Sequence, residues 1–333
     1  MPTSAPRFTV LIPTFKRPVE LAAAIESALR QTVPAAEIVV ADDDPFGQEG
    51  FAVAERFRRE GQPVRGVLNE GLHGQSANTN VGLRACQTNW IKLLHDDDLL
   101  LPECVERFTE AARLAPDALA IRCRSHEFCK GRRTRAFKRQ PGVPLMLRLD
   151  PPETLKSMYL NDNGAGGVPT LLAVSKRVVD AGIRFEESGG IWHMVDSYWA
   201  ARIAARGPWV VINEGLVERY QGETVSVTSQ TTDALFDAEL PILRELIHDL
   251  MPADIRTQVP PVGRMNAAYR VVRGLRGMSH RKLLYGMPKL LGMLDPRVWK
   301  IAVGLRRRIE GDRQVPEIAQ WTELFNAAAA DQS

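Results

Sequence analysis

Short apolar runs alternate with amphipathic stretches along the first hundred residues. The runs are typical of buried strands, and the stretches between them repeat their apolar positions with a helical period. The predicted strands cover residues 8–12, 37–41, 64–68 and 90–94, and the predicted helices cover residues 18–31, 51–59 and 76–85. Repeated strand–helix units of this length indicate an α/β fold with a mostly parallel sheet that is flanked by helices.

The pattern is less regular in the rest of the chain. A hairpin is predicted at residues 119–128 and 134–137, a flexible loop at 161–167, a strand at 170–174, a helix at 196–205, and strands at 209–213 and 216–220. Only helices follow, at residues 234–251, 264–277, 281–294 and 297–309. The chain is therefore divided into residues 1–110, residues 111–230 and a helical C-terminal region, residues 231–333.

Polar segments follow three of the predicted strands, at residues 13–16, 42–44 and 95–98. Ligands of parallel α/β sheets bind beyond the carboxyl ends of the strands, so these segments mark one candidate site. The last segment reads His95-Asp96-Asp97-Asp98. Three consecutive carboxylates repel one another, and a divalent cation such as Mg²⁺ or Mn²⁺, completed by substrate phosphates, would relieve that repulsion. A helix N-cap is the alternative, although one Asp would suffice for it.

Composition and charge restrict the possible partners. The 333 residues carry a net charge of only +3, yet residues 264–308 contain twelve Lys or Arg and one acid, Asp295. Basic helices that also carry apolar residues can lie on an anionic membrane surface, or they can form an ordinary packed appendage whose basic side faces water or an oligomer partner. Both readings stay open. No nucleic-acid-binding module is recognisable. The absence of a signal-peptide core and of CxxC pairs among four cysteines predicts a cytoplasmic protein with free thiols, peripheral to the membrane if its basic helices bind lipid.

Five short segments follow one another in an order that is similar to one protein family. They are Val10-Leu11-Ile12-Pro13-Thr14-Phe15-Lys16-Arg17 with Gln31-Thr32, Glu37-Ile38-Val39-Val40-Ala41-Asp42-Asp43, Asn69-Glu70-Gly71, Asn80-Val81-Gly82, and His95-Asp96-Asp97-Asp98 with Pro102. In this order they resemble the family 2 glycosyltransferases, which have the Rossmann-like GT-A fold. The resemblance is close over residues 8–110 and looser over residues 150–225.

The resemblance implies an activity. Family members transfer a sugar from a nucleotide-diphospho-sugar to a hydroxyl acceptor by metal-assisted inverting displacement. A UDP-sugar donor, an Mn²⁺ or Mg²⁺ cofactor, and an acceptor that is a glycan or a lipid-linked or surface polysaccharide precursor are expected. Residues 1–110 would bind the donor and residues 111–230 the acceptor.

The resemblance also implies roles for individual residues. Those matched to the donor site are Pro13, Thr14 and Phe15 along the base, Asp43 as acceptor of a hydrogen bond from the base, Asp96 at the ribose, Asp97 and Asp98 at the metal, and Arg219 at the pyrophosphate. Arg219 has a simpler alternative, an ion pair with Glu218. His73 is the nearest substitute for a basic donor-binding residue that the family often has in the loop at residues 71–74.

The family's catalytic base is an acid at the start of a helix, and Asp196 matches it. This base removes the proton of the acceptor hydroxyl as the hydroxyl attacks. Capping its own helix is the alternative role for Asp196. Trp192 and His193 are candidates for the acceptor pocket, with a place in the core as the alternative for Trp192.

Three positions depart from the family pattern, and two other functions compete with glycosyl transfer. His95 replaces an Asp, Val195 replaces a Glu, and Gln221 replaces a His. These departures keep open a non-catalytic nucleotide-sugar-binding module. A nucleotidyltransferase that makes the nucleotide sugar is the other alternative, but it would need a glycine-rich basic loop after the first strand, and residues 13–17 contain no glycine.

Overall fold

One mixed sheet of eleven strands runs through the part of the chain that the computed structural model describes, which comprises residues 5–129, 131–139, 141–160, 167–187, 189–221, 233–267 and 322–323. The first elements are β1 Phe8–Thr14, α1 Pro18–Leu29, β2 Glu37–Asp42, α2 Glu49–Arg59, β3 Val64–Leu68, α3 Gln75–Ala85 and β4 Trp90–Leu93. β1 pairs in parallel with β2 and β4, and β2 pairs in parallel with β3. The carboxyl ends of these four strands therefore meet at one edge, as predicted.

The later elements complete the same sheet. They are β5 Leu99–Leu100, α4 Cys104–Leu114, β6 Ala120–Cys129, β7 Arg132–Arg135, β8 Met146–Leu149, α5 Pro151–Leu160, β9 Leu172–Ser175, α6 Lys176–Asp180, α7 Val195–Ala204, β10 Trp209–Gln221, α8 Asp233–Leu250, α9 Ala253–Arg256 and β11 Thr322–Glu323. The strand order is β11-β8-β10-β6-β9-β4-β1-β2-β3, with β5 beside β10 and β7 beside β6.

The direction of the strands brings both halves of the chain to one edge. β9 is antiparallel to β4 and to β6, and β6 is parallel to β10. β4, β6 and β10 therefore point the same way. The predicted α/β fold is confirmed, while the parallel arrangement holds for β1–β4 and for the β6–β10 pair; β5, β7, β8, β9 and β11 join in antiparallel pairs.

Two apolar layers cover the two faces of the sheet, because successive strand residues alternate in direction. Val10 and Ile12 of β1 join the layer that contains α1, α2 and α4, whereas Leu11 joins the layer of α3, α5, α7 and α8. α3 approaches β1 so closely that a Cβ at Gly82 would overlap the Leu11 side chain. No helix in the described ranges is both long and apolar enough to cross a membrane.

Several predicted elements differ in detail from the observed ones. The two strands predicted at 209–213 and 216–220 are one strand, β10, with register shifts around Gly215, where the His126 imidazole lies against the glycine. The strand predicted at 170–174 begins only at Leu172, after a 3-10 turn at Pro169–Leu171. Most of the loop at 161–167, most of the helix at 264–277 and the helices at 281–294 and 297–309 lie outside the described residues. All four cysteines are free thiols.

Candidate functional site

The turn between β1 and α1 forms one wall of the candidate site. Lys16 has a φ of 56°, a left-handed conformation that residues other than glycine seldom adopt. This backbone reverses direction sharply after the half-buried Pro13 and leaves Phe15 51% exposed. Arg17, the next residue, returns toward the carboxylates that follow β4. The predicted donor segment therefore presents an exposed aromatic ring and a buried hydroxyl, that of Thr14, at the carboxyl edge.

Asp43 lies at the end of β2 and binds the loop that follows β3. Its Oδ1 accepts a hydrogen bond from Asn69 Nδ2 at 2.7 Å, and its Oδ2 accepts one from the Gly74 N–H at 2.7 Å. His73 Nδ1 lies 3.2 Å from Oδ1. Gly74 has a φ of 115°, which a side chain would disfavour, so glycine allows this approach. The structure thus brings together Asp43 and His73, two residues that were matched to the donor site separately.

Asp96 and Asp97 share one arginine. Arg17 Nη1 lies 3.0 Å from Asp96 Oδ1 and 2.9 Å from Asp97 Oδ2. The second oxygen of Asp96 accepts a hydrogen bond from Thr14 Oγ1 at 2.8 Å. These contacts tie the end of β4 to the end of β1, and Arg17 offsets part of the repulsion within the acidic run.

His95, Asp97 and Asp98 form a group that could hold a metal ion. Each offers one ligand atom, and these atoms all lie within 4.8 Å of one another. Asp98 is fixed by the Tyr220 N–H, which donates to its Oδ1 at 3.0 Å, and His95 Nδ1 lies 3.5 Å from its Oδ2. His95 Nε2 is enclosed and has no hydrogen-bond partner. A set of two carboxylates and one imidazole suits a divalent ion such as Mn²⁺, so the residues fit the predicted cofactor.

Burial changes the protonation of this group. It lowers the pKa of His95 to about 4, so that the imidazole is neutral and can donate a lone pair. Burial raises the pKa of Asp96 to about 6, and burial together with the charge of Asp97 raises the pKa of Asp98 to about 7. Carboxylates held in such surroundings gain from a cation that favours their ionised form.

Asp196 lies in the first turn of α7. Its Oδ1 accepts hydrogen bonds from the Ser197 N–H at 2.6 Å and the Ser197 hydroxyl at 3.3 Å. Burial raises the pKa of Asp196 to about 7, which the Ser197 hydrogen bonds and the charge of Arg219 oppose. A carboxylate with a pKa near neutrality is well suited to accept a proton at physiological pH.

Arg219 of β10 is near enough to both acidic groups to interact with each of them electrostatically. Its charge acts on Asp98 and on Asp196, and its Nη1 lies 3.3 Å from Glu127 Oε1. Among the described contacts, Arg219 therefore pairs with Glu127 and not with Glu218, the alternative partner. Glu218 accepts a hydrogen bond from the Tyr220 hydroxyl at 3.2 Å.

Glu239 of α8 binds the segment that immediately precedes α7. Its carboxylate accepts hydrogen bonds from the His193 N–H at 2.9 Å and the Met194 N–H at 3.0 Å, and His193 Nδ1 lies 2.7 Å from its Oε1. Burial alone would raise the pKa of Glu239, but these hydrogen bonds lower it. Asp196 accepts the Ser197 N–H within the first turn of α7, so capping its own helix remains the alternative role for Asp196. Trp192, 67% exposed, is not a core residue.

The sequence analysis missed Arg17 and Glu239 as site residues. Arg17 could have been identified from the sequence, because it follows the first strand and three acids follow the neighbouring strand. Opposite charges at adjacent strand ends are expected to pair. No comparable signal marked Glu239, which lies 46 residues from His193 in the chain. Val195 begins α7 and is buried, and the backbone of Gln221 ends β10.

Comparison with known proteins gives these residues a context. The profile described as "Glycosyl transferase family 2" matches residues 9–182, more than half of the chain. An uncharacterised glycosyltransferase of Haemophilus influenzae is 28% identical over 109 residues, which are 33% of this chain and 35% of that protein. The GalNAc(5)-diNAcBac-PP-undecaprenol beta-1,3-glucosyltransferase of Campylobacter jejuni is 30% identical over 108 residues, 32% of this chain and 35% of that protein. The chain thus matches about a third of the length of these relatives.

Solved structures extend the likeness over nearly the whole fold. S. aureus TarS 1-349 in complex with UDP-GlcNAc superposes with a TM-score of 0.60 and 13% identity, covering 94% of this chain and 93% of that one. The complex of the same protein with UDP gives a TM-score of 0.58. At this identity the likeness concerns the GT-A fold. Together with the family profile, it establishes that the chain belongs to glycosyl transferase family 2.

Proposed function

We propose that this chain transfers a sugar from a nucleotide-diphospho-sugar to a hydroxyl of a glycan or lipid-linked acceptor, with inversion at the anomeric carbon. The observation that carries the proposal is the position of Arg219. Its charge acts on Asp98 in the acidic run after β4 and on Asp196 at the start of α7. A candidate metal carboxylate and a candidate base therefore both feel the charge of one arginine, which supports a displacement between two substrates bound near it.

The donor would lie along the carboxyl ends of β1, β2 and β4. Pro13, Thr14 and Phe15 would follow the base, with the exposed Phe15 ring available for stacking. Asp43 would accept the imide N–H of a uracil-type base, a role that its hydrogen bonds to Asn69 and Gly74 would hold in place. His73 would approach the same part of the donor, Asp96 would bind the ribose, and Arg219 would contact the diphosphate.

A UDP-sugar is the donor that we propose. TarS, whose fold this chain shares, has been solved with UDP and with UDP-GlcNAc. The Campylobacter jejuni relative is named for a glycan acceptor on PP-undecaprenol. These names support a uridine nucleotide on the donor side and a glycan or lipid-linked hydroxyl on the acceptor side.

A divalent ion would be held by Asp97 and Asp98, and we add His95 to these two ligands. When bound, such an ion stabilises negative charge on the departing diphosphate as a Lewis acid. Arg17 would compete with the ion for Asp97, because it already contacts that carboxylate at 2.9 Å.

Asp196 would act as the base on the acceptor side. The acceptor hydroxyl oxygen bonds to the anomeric carbon, its proton passes to the Asp196 carboxylate, and the bond from the anomeric carbon to the diphosphate oxygen breaks. Trp192 offers an exposed aromatic face to a sugar ring, and His193, held by Glu239, lies beside it.

A thermal-shift screen of UDP-, GDP- and dTDP-sugars, each with and without Mn²⁺, tests the proposal, followed by detection of free nucleotide and glycosylated acceptor. We expect UDP-sugars to stabilise the protein most, and more so with Mn²⁺. If UDP-sugars stabilise the protein but no sugar is transferred to a panel of glycan acceptors, the non-catalytic binding module is favoured. If pyrophosphate is released from UTP and a sugar phosphate, the nucleotidyltransferase is favoured. No stabilisation by any nucleotide sugar would contradict the proposal.

A further inference from the structure

The most exposed apolar side chains of the described residues lie at one edge of the sheet. Phe46, Leu72 and Val19 are 95%, 85% and 79% exposed, the highest values among the large apolar residues that the structure describes. Val19 follows β1, Phe46 follows β2 and Leu72 follows β3. These strands are adjacent and parallel, so the three residues share one carboxyl edge and span two strand spacings, about 10 Å. We call them the apolar rim.

The proposed sugar transfer does not account for the apolar rim. Phe15 and Trp192, which are the next most exposed, have proposed ligands in the donor base and the acceptor sugar, whereas the rim has none. A single exposed apolar side chain is ordinary on a protein surface. Three that project from neighbouring loops beside a candidate site are typical of a surface that binds a partner.

A basic hairpin extends from the same edge of the sheet. β6 points the same way as β4, and the turn into β7 follows its carboxyl end. Residues 131–139, which we call the basic hairpin, contain five cations and no acid. All five cations are exposed: Arg132, Arg133, Arg135, Lys138 and Arg139. Arg133 lies 3.8 Å from Glu218, and the hairpin as a whole presents a surplus of positive charge to solvent.

The basic hairpin adjoins the candidate site. The Arg133 guanidinium lies 5.3 Å from the centre of the Phe128 ring, which stacks on the Tyr220 ring at 5.0 Å. The Tyr220 N–H in turn donates a hydrogen bond to Asp98 of the acidic run. Asp98 and Asp96 are themselves buried. The charges that this flank of the site exposes to solvent are therefore mainly the cations of the hairpin.

We infer that this carboxyl edge is a docking surface for an anionic lipid bilayer. The apolar rim enters the interface between headgroups and acyl chains, and the basic hairpin contacts the lipid phosphates. Exposed apolar side chains combined with Lys and Arg are the features that bind proteins to anionic membrane surfaces. Apolar side chains on separate loops suit a fluid bilayer, whereas a protein partner needs a closely packed complementary patch.

The two parts of this surface bind through different forces. Glu49 and Glu70 are exposed acids in the loops of Phe46 and Leu72, so apolar contact rather than charge holds the rim. The basic hairpin binds by charge, which salt screens. The surface is separate from the basic C-terminal residues 264–308. That the bilayer would present a lipid-linked acceptor to the site rests on the proposed function; the docking surface itself does not.

Sedimentation of the full chain with lipid vesicles tests the hairpin. Arg132→Gln with Arg139→Gln removes two of its cations. Arg56→Gln with Arg59→Gln is the matched control, since it removes two exposed cations from the end of α2, toward the opposite edge. We expect wild type and control to bind phosphatidylglycerol vesicles more tightly than phosphatidylcholine vesicles. The hairpin variant should bind phosphatidylglycerol roughly 20–30-fold more weakly, and high salt should remove most of the difference.

A polarity-sensitive fluorophore tests the rim even if the C-terminal residues also bind lipid. It is attached at Phe46→Cys or, as control, at Val33→Cys, an exposed apolar position between α1 and β2 at the opposite edge. Cys129→Ser accompanies both, because the other three cysteines are buried. With phosphatidylglycerol vesicles, we expect the emission of the Phe46 label to shift to the blue and that of the Val33 label to stay unchanged.

Four outcomes would overturn the inference. They are no binding of the wild type to phosphatidylglycerol vesicles, equal weakening in the hairpin and control variants, a Phe46 label that does not respond while the protein is bound, and a response of the Val33 label alone. If the hairpin variant loses binding to inorganic polyphosphate while the Phe46 label ignores vesicles, the hairpin recognises a soluble polyanion instead. Stabilisation by UDP-sugars is measured without lipid, so failure of docking leaves the proposed transfer standing.

Discussion

The proposed donor side and the proposed acceptor side of the candidate site are built in different ways. On the donor side, the contacts join segments that follow neighbouring parallel strands, such as Thr14 and Asp96 after β1 and β4. On the acceptor side, the contacts join elements that no repeated unit relates, such as His193 before α7 and Glu239 in α8. The comparison shows that strand topology brings the donor residues together, whereas the acceptor residues depend on individual long-range hydrogen bonds.

The charges of the two sides differ as well. The proposed donor side clusters its carboxylates: Asp96 and Asp97 share Arg17, and the charge of Arg219 acts on Asp98. On the proposed acceptor side each acid is held separately, Asp196 by Ser197 and Glu239 by His193 and Met194. Clustered acids suit a metal ion, whereas a single buried carboxylate suits the exchange of a proton.

Asp196→Asn is the change with the largest expected effect on the acceptor side. Asn cannot accept the proton of the hydroxyl, so we expect kcat to fall by about 10²–10⁴-fold. The affinity for UDP, measured by calorimetry, should stay unchanged because the donor residues are untouched. Transfer at the wild-type rate would remove Asp196 from its proposed role and leave the acceptor side without a base.

Glu239→Ala tests whether one distant hydrogen-bond acceptor holds the acceptor side in place. Without the carboxylate, the N–H groups of His193 and Met194, just before α7, lose their partner and Asp196 becomes less well positioned. We expect kcat to fall roughly 10–100-fold with an unchanged KM for the donor, and Glu239→Gln to recover part of the loss. Glu245→Gln is the control, since Glu245 is exposed on the same helix. A higher donor KM with an unaffected kcat would contradict this role.

The pH dependence of transfer should reflect Asp196. Its pKa is raised to about 7, so the ionised form that accepts a proton disappears as the pH falls below 7. We expect kcat to decline there by about tenfold per pH unit. A raised carboxyl pKa also means that the free energy of unfolding falls as the pH rises from about 4, the pKa of an unfolded Asp, to about 7, and stays lowered above pH 7. Asp196→Asn should therefore raise Tm most at pH 8, less at pH 5 and least below pH 4. A rate independent of pH between 5 and 8 would argue against this base.

Arg17→Met tests the donor side, and it is the substitution with the smallest expected effect. Removing the cation that Asp96 and Asp97 share should lower the free energy of unfolding by about 2 kcal/mol. This value lies between those for exposed and for buried ion pairs. Mn²⁺ should restore more Tm to this variant than to the wild type, because the carboxylates then lack their internal cation. Arg30→Met, which breaks the exposed pair with Glu26, should show neither effect. An equal response to Mn²⁺ in wild type and Arg17→Met would mean that Arg17 does not compete for the metal site.

Much of the donor side could be predicted because its signals are local. Apolar periodicity identified β1 to β4, and parallel pairing sends their carboxyl ends to one edge. The segments at Thr14, Asp43 and Asp96 were therefore expected to meet. Glu239 could not be assigned in this way, since a helix acid looks like an ordinary surface residue until the packing of the helices is known.

The sequence by itself determined the strand–helix alternation, the polar strand ends and the family resemblance, because periodicity and short motifs are written in neighbouring residues. Only the tertiary structure decided that Arg17 serves two carboxylates, that Glu239 binds the segment just before α7, and that Arg219 pairs with Glu127. These pairs are separated by 79 and 80, 46, and 92 residues respectively. The physical reason is that hydrogen bonds and burial depend on which groups are close in space. For residues far apart in the sequence, the packing of the folded chain decides this.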